Sequence, residues 1–238
     1  MKKSNNTKKT SEIETNFSCE FCNRKFVREK TLETHICEYK SRYADRDKRG
    51  NQIGFQSFVQ FFQKHSNAKK TKTYEDFIKS AYYIAFIKFG NYCLDANVIN
   101  VPRYVDWLLR DGIKIDNWIS DNTYTKFLIE YLRIEDPFDA ISRSVNTCND
   151  LAENEKIQVH DVLRYGNKNK ICQAVTMGKI SPWMLYQSNS GTQFLDNLNE
   201  DHIKIVIDYI NPQMWALKFK KDPEIANTIK ETLEKAGY

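Results

Sequence analysis

From residue 54 onward, hydrophobic positions recur at the spacing of amphipathic helices. Prolines at 102, 137 and 223 stand where three of these helices are expected to begin, because proline suits the first helical turn. Strand-like runs, such as residues 203–207, are too few to build a sheet. We therefore predict an all-α fold, with a multi-helix globular domain over residues 55–238. The clearest apolar stripe, at i, i+3, i+4 and i+7, is Phe55, Phe58, Val59 and Phe62.

The most apolar of these segments follows Thr73. The Thr73 hydroxyl can cap the first turn, and Glu75 and Asp76 stand where the helix dipole favours acidic side chains. The pattern predicts one continuous core helix over residues 74–94.

The N-terminal part of the chain has a different pattern. Residues 1–16 are almost entirely polar, and we expect a disordered basic tail there. Residues 17–40 form a candidate zinc finger. Residues 41–54 are strongly charged and serve either as a linker or as an extension of the finger's helix, with Gly50 and Gly54 marking their end.

The finger is predicted from the spacing of its metal ligands and its small core. Two residues separate Cys19 from Cys22, three separate Cys22 from Phe26, five separate Phe26 from Leu32, and two separate Leu32 from His35. This is the spacing of the standard Cys-Cys-His-His finger, in which a small ββα unit holds one zinc ion. Phe26 and Leu32 supply the miniature core. So short a segment cannot fold on apolar burial alone, so we expect one structural zinc ion.

The fourth ligand departs from the standard pattern. The usual positions hold Tyr39, Lys40 and Ser41, and the nearest residue able to bind zinc is Cys37. Residues i and i+2 of an ideal helix point about 200° apart, so the helix must tighten or break if His35 and Cys37 share one ion. Cys37 is the favoured ligand, and His65 is the alternative.

Charge is concentrated at the N-terminal end. Residues 1–72 contain 17 Lys and Arg against 8 Asp and Glu, whereas residues 73–238 contain 19 against 23. A polyanion contact confined to this end is the favoured interpretation, and a solvated basic segment without a dedicated partner is the alternative.

In the standard finger, three helix positions contact bases, and the motif places them at Arg28, Thr31 and Thr34. One finger covers about 3 base pairs, so further contacts are needed for useful affinity. Tyr39 and Tyr43 could stack on bases. The basic residues that could supply further contacts are Lys30, Lys40, Arg42, Arg46, Lys48 and Arg49. Protein docking is the competing interpretation, since single fingers also serve as interaction modules.

Nothing in the chain indicates catalysis. There is no phosphate loop, HExxH motif or nucleophile elbow, so we expect a protein that is not an enzyme. A metal-dependent nuclease is the enzyme alternative, but no spacing distinguishes the carboxylates that it would need. There is also no apolar run long enough for a membrane helix and no secretory signal, which predicts a cytoplasmic protein without a membrane partner. The cysteines outside the finger region, Cys93, Cys148 and Cys172, are scattered, which favours buried thiols in a reducing compartment.

The chain also resembles a group of natural proteins. The segments FCNRKFVREKTLETHICEYKSR, GFQSFVQFF and AYYIAFIKFGNYC are similar to those of uncharacterised zinc-finger proteins of T-even-like tailed bacteriophages. The resemblance implies a setting, the cytoplasm of an infected bacterium, and no mechanism.

Overall fold

A computed structural model of the chain describes residues 17–66 and 70–238, and side chains of residues 65 and 66 are outside the described set. The expected tail at residues 1–16 and the side chain of His65 therefore lie outside the described residues. The all-α fold is confirmed, since the one sheet in the described ranges is a two-stranded hairpin. The contacts divide the chain into two compact units, residues 1–94 and 95–238.

The first unit begins with a ββα element. Strands β1 (Phe17–Ser18) and β2 (Lys25–Phe26) pair antiparallel, with Phe17 opposite Phe26, and helix α1 (Glu29–Glu33) follows. The next four helices are α2 (Glu38–Ala44), α3 (Arg49–Ser66), α4 (Tyr74–Ile78) and α5 (Tyr83–Asp95).

The helix predicted over residues 74–94 is wrong in one respect, because it is broken. Thr73 does cap α4, in a capping box with Asp76, but α4 ends at Ile78 and α5 begins at Tyr83. Ser80 explains the break: its side-chain oxygen accepts a hydrogen bond from the backbone N–H of Tyr82 at 3.1 Å and so competes with helical bonding.

Gly50 and Gly54 lie inside α3 and do not end a linker. A Cβ atom at Gly54 would lie 2.5 Å from the carbonyl oxygen of Phe86, and one at Gly90 would overlap with the carbonyl oxygen of Gly50. The three glycines therefore let the backbones of α3 and α5 meet directly. The aromatic stripe of α3 extends this contact, with Phe58 packed against Phe77 and Phe86.

The second unit consists of helices of 4 to 19 residues around a core of large aromatic side chains, including Trp118, Trp183 and Trp215. Residues 203–207, the strand-like run, are helical. The α-helices of this unit are α6 (Val101–Arg110), α7 (Asp121–Ile134), α8 (Pro137–Glu155), α9 (Val162–Tyr165), α10 (Lys168–Thr176), α11 (Pro182–Gln187), α12 (Asn189–Asp196), α13 (Glu200–Ile210), α14 (Pro212–Lys221) and α15 (Pro223–Lys235), with 3₁₀ turns at Ile115–Asn117 and Val159–Asp161.

Candidate metal centre

The hairpin positions the first two cysteines. The backbone N–H of Cys19 donates to the carbonyl oxygen of Arg24 at 2.9 Å, and the N–H of Asn23 donates to the carbonyl oxygen of Cys19 at 2.8 Å. Asn23 takes a left-handed conformation, with φ of 56°, which asparagine tolerates better than most residues. These bonds close a tight turn after β1 and direct both sulfurs to one side.

The third residue, His35, follows α1 and does not lie within it. Helix α1 ends at Glu33, and the N–H of His35 donates to the carbonyl oxygen of Leu32 at 3.1 Å. The imidazole packs on the buried ring of Phe26, with ring centroids 4.8 Å apart. The miniature core thus fixes the side of the ring that faces the cysteines.

The fourth residue, Cys37, is the N-cap of α2. It has extended backbone angles, and its sulfur accepts a hydrogen bond from the N–H of Lys40 at 3.4 Å. The chain therefore breaks between two helices at residues 34–37. Since neither His35 nor Cys37 lies within a helix, the 200° separation of an ideal helix does not apply, and both side chains reach the same point.

The four candidate ligand atoms all lie within 4.8 Å of one another. The Cys19 and Cys37 sulfurs are 4.0 Å apart, and the Cys22 sulfur is 3.3 Å from Nε2 of His35. A tetrahedral zinc site with ordinary bond lengths has sulfur–sulfur edges of about 3.8 Å and sulfur–nitrogen edges of about 3.5 Å. The cluster can therefore hold one metal ion with little adjustment. In the described part of the chain, this is the one group of its kind.

The electrostatics of the thiols differ. Burial of Cys19 raises its pKa, but hydrogen bonds from the backbone N–H groups of Cys22 and Phe21 outweigh this effect and lower the pKa. A backbone hydrogen bond at Arg24 lowers the pKa of Cys22, but desolvation and the sulfurs of Cys19 and Cys37 reverse the direction and raise it. Neighbouring thiolates repel one another, so several of these thiols do not readily lose their protons together. A bound cation would offset this repulsion and favour the thiolate forms.

The base-reading residues predicted from the motif share the exposed side of the finger. Arg28 immediately precedes α1, Thr31 lies within it, and Thr34 caps its end; all three are exposed, as is Lys30. The Thr34 hydroxyl donates to the carbonyl oxygen of Lys30 at 3.1 Å. At five residues, α1 offers only this short surface.

The basic residues beyond Cys37 divide by their contacts. Lys40 donates through Nζ to the carbonyl oxygen of His35 at 3.3 Å, beside the candidate site. Lys48 pairs with Asp45 at 2.8 Å yet stays 66% exposed, and Arg49 is exposed at the start of α3.

Arg42 is held inside the first unit. Its side chain is only 15% exposed, donates to the carbonyl oxygen of Ile78 at 2.6 Å, and pairs with Glu38. Its guanidinium also lies 4.3 Å from the ring centroid of Tyr83 and 5.8 Å from that of Tyr39. These contacts attach α2 to the residues around the helix break, a role that charge counting alone does not reveal.

Tyr43 is one of the two tyrosines predicted to stack on bases. Its ring contacts Phe21 of the finger, with centroids 5.2 Å apart, and Tyr74 at 5.9 Å. Arg46 lies over the same ring at 4.7 Å. Sequence patterns do not indicate Tyr74 as a neighbour of Tyr43, because the two residues are separated along the chain and meet only in the folded unit.

No helix in the described ranges is long and apolar enough to cross a bilayer. Comparisons of the chain with protein-family models, with curated proteins and with solved structures found no match.

Proposed function

We propose that this protein binds nucleic acid through a zinc-stabilised finger. The cluster of Cys19, Cys22, His35 and Cys37 is the observation that carries the proposal, because a metal ion bound there would stabilise the finger at the basic end of the chain. The second unit would then provide a surface for a protein partner, in the infected bacterial cytoplasm that the phage resemblance implies. We propose a binding role and no catalytic one.

The donor set favours zinc over other metals. Three thiolates and one imidazole are soft or borderline ligands, which suit zinc and are poor ligands for magnesium or calcium. All four tetrahedral positions would be filled by protein, which is the arrangement of a structural site and leaves no open position for catalysis. The Lys40 N–H that reaches the Cys37 sulfur would also stabilise the negative charge of a metal-bound thiolate.

Exposed basic side chains of the finger support nucleic acid as its partner, although acidic residues leave the net charge of this element small. Arg24, Lys25, Arg28 and Lys30 are all exposed on this short element. Lysine and arginine side chains bind phosphates, and a planar guanidinium such as that of Arg28 can also pair with a guanine edge.

Protein docking is the second candidate function, and one specific observation favours it. Two apolar side chains of the finger are strongly exposed, Ile36 at 81% and Val27 at 51%. Exposed apolar groups of this kind can form the centre of a protein interface.

Fluorescence anisotropy with labelled single- and double-stranded DNA and RNA at 50 and 200 mM salt separates the two candidates. About four phosphate contacts would lower the affinity roughly 100-fold over this range. Replacing the exposed Arg28 with alanine should weaken binding by about 10-fold, since one good base contact contributes on the order of 1–3 kcal/mol.

Arg103→Ala is the matched control, because Arg103 is an exposed arginine of the second unit. Ile36→Ser should leave nucleic-acid affinity unchanged. Two outcomes would instead favour protein docking. One is that the protein binds none of the nucleic acids at 50 mM salt, and the other is an affinity that changes neither with salt nor in Arg28→Ala.

A further inference from the structure

An open groove lies in the first unit, beside the segment that joins α2 to α3. Its volume is about 470 Å³, within the range of roughly 300 to 1,000 Å³ that is typical of small-ligand pockets. The groove is formed by α2, the following turn, α3 and the first turn of α4. It is therefore separate from the candidate metal centre, although Cys37 is the N-cap of α2.

Three aromatic rings form one wall of the groove. Tyr74 meets Tyr43 edge-on, with centroids 5.9 Å apart and planes at 77°, and meets Phe55 at 5.1 Å and 66°. All three residues are only half-buried. The wall thus presents aromatic surface to whatever enters, and aromatic surface binds flat rings well.

Arg46 adds a planar cation at the mouth of the groove. Its guanidinium lies 4.7 Å from the ring centroid of Tyr43, and its side chain remains 45% exposed. A guanidinium held against one ring can stack a second ring on its other face, as arginines do when they bind unstacked bases.

The rest of the lining offers hydrogen-bonding groups that match the edges of nucleobases. Gln52 and Gln56 stand one turn apart on α3, and both are exposed. Asp47 and Glu75 add carboxylates. Amides can pair with adenine, and carboxylates accept from the amino group of cytosine.

The Tyr74 ring of this wall has its hydroxyl end inside the protein. The hydroxyl is enclosed beside the side chain of Asn51, whose amide donates to the carbonyl oxygen of Asp45 at 3.0 Å. Desolvation raises the pKa of Tyr74 to about 12, so the hydroxyl keeps its proton and the ring stays uncharged.

We propose that this groove binds one unpaired nucleobase, which makes single-stranded nucleic acid the preferred partner of the protein. This inference rests on the proposed function, and it specifies which class of nucleic acid the protein prefers. The carboxylates of Asp47 and Glu75 would repel a phosphate inside the groove. The base therefore enters, and the sugar–phosphate backbone stays outside, toward exposed Lys48 and Arg49. A base in a duplex is paired and stacked and cannot enter without being extruded.

The test compares binding of single-stranded and duplex oligonucleotides by anisotropy. Arg46→Lys keeps the charge but loses the planar stack, and should weaken single-stranded binding about 10-fold while leaving duplex binding unchanged. Gln52→Ala with Gln56→Ala should give a similar loss. Arg103→Lys and Gln63→Ala, the latter at an exposed position of α3, are the matched controls.

Photo-crosslinking locates the base directly. Single-stranded DNA and RNA oligonucleotides with 5-iodouracil or 8-azidoadenine at one position should label peptides containing Tyr43, Phe55 or Tyr74, and free nucleoside monophosphates should compete only weakly. Efficient competition by the monophosphates would contradict the proposal that the ligand is a nucleic-acid strand.

The outcomes separate the two proposals. Single-stranded binding that is unaffected by the groove variants but falls with Arg28→Ala would overturn the groove and keep the finger contact. Binding that depends on the groove variants, with adducts in the groove, supports the inference. Failure of the wild-type protein to bind any nucleic acid would overturn both.

Discussion

At the scale of single residues, Cys37 has two structural roles. It belongs to the candidate metal cluster, and it is also the N-cap of α2. The spacing predicted Cys19, Cys22 and His35 because these residues are fixed by local hairpin and helix geometry. Cys37 could be named only as the nearest available ligand, since the break between α1 and α2 was required by the hypothesis and not visible in the pattern.

Glu135 is the other residue whose surroundings could not be predicted. Its side chain is fully buried, and both carboxylate oxygens accept from Nη2 of Arg143, at 2.9 and 2.7 Å. Ser181 donates to the same carboxylate at 3.0 Å, and Arg143 also donates to the carbonyl oxygen of Gly178 at 2.8 Å. Burial raises the pKa of Glu135, and the guanidinium partly offsets that rise.

Replacing Arg143 with alanine should destabilise the second unit by about 3–5 kcal/mol, because an unpaired buried carboxylate remains. All four tryptophans lie in residues 95–238, so tryptophan fluorescence during urea unfolding follows this unit.

The double variant Glu135→Met with Arg143→Met should lose far less stability than the sum of the single changes, because it removes both charges together. Arg103→Ala is the exposed control and should change the free energy of unfolding by less than about 0.5 kcal/mol. A single Arg143→Ala loss as small as that of the control would contradict the account of this ion pair.

At the scale of elements, the crossing of α3 and α5 depends on small residues. Gly90 lies against Gly50 and Gly54 at a distance that excludes a Cβ atom. From sequence, glycines beside a charged segment indicated a boundary, since helices disfavour glycine by about 1 kcal/mol relative to alanine. Close approach of two backbones depends on tertiary packing, and therefore could not be deduced from one segment.

Gly90→Ala tests this crossing because two effects oppose each other. Alanine should stabilise an isolated helix by up to about 1 kcal/mol, whereas forcing the two backbones apart costs about 1–3 kcal/mol or more. We expect net destabilisation, measured as faster hydrogen–deuterium exchange of peptides from α3 and α5. Gln63→Ala, at an exposed site of α3, should not accelerate exchange. Slower exchange in Gly90→Ala would show that the helices are not in direct contact.

The predicted core helix is another element that the local sequence pattern predicts only in part. The hydrophobic spacing and the Thr73 cap identified its start and composition, and the capping box is present. The break at residues 79–82 depends on a hydrogen bond that the Ser80 side chain accepts from the backbone N–H of Tyr82, and it leaves the carbonyl of Ile78 available to Arg42. Neither contact leaves a periodic pattern in the sequence.

At the scale of the whole molecule, the positive charge and the candidate metal centre belong to the same unit. The finger is too small to fold by burying apolar surface, and its contacts with α2 pass through Cys37 and the Phe21–Tyr43 ring pair. Binding of a metal would therefore stabilise the finger and also the start of α2, the helix that carries Tyr43 of the groove.

Zinc content of the purified protein, measured by elemental analysis after dialysis against a chelator, tests the central claim most directly. The wild-type chain should retain one zinc ion, and Cys37→Ser should lose it, because a serine hydroxyl is a far weaker zinc ligand than a thiolate. Cys172→Ala, a buried thiol of the second unit, should retain the metal. A wild-type protein without zinc after refolding in its presence, or a Cys37→Ser variant that holds zinc as tightly as the wild type, would contradict the four-ligand site.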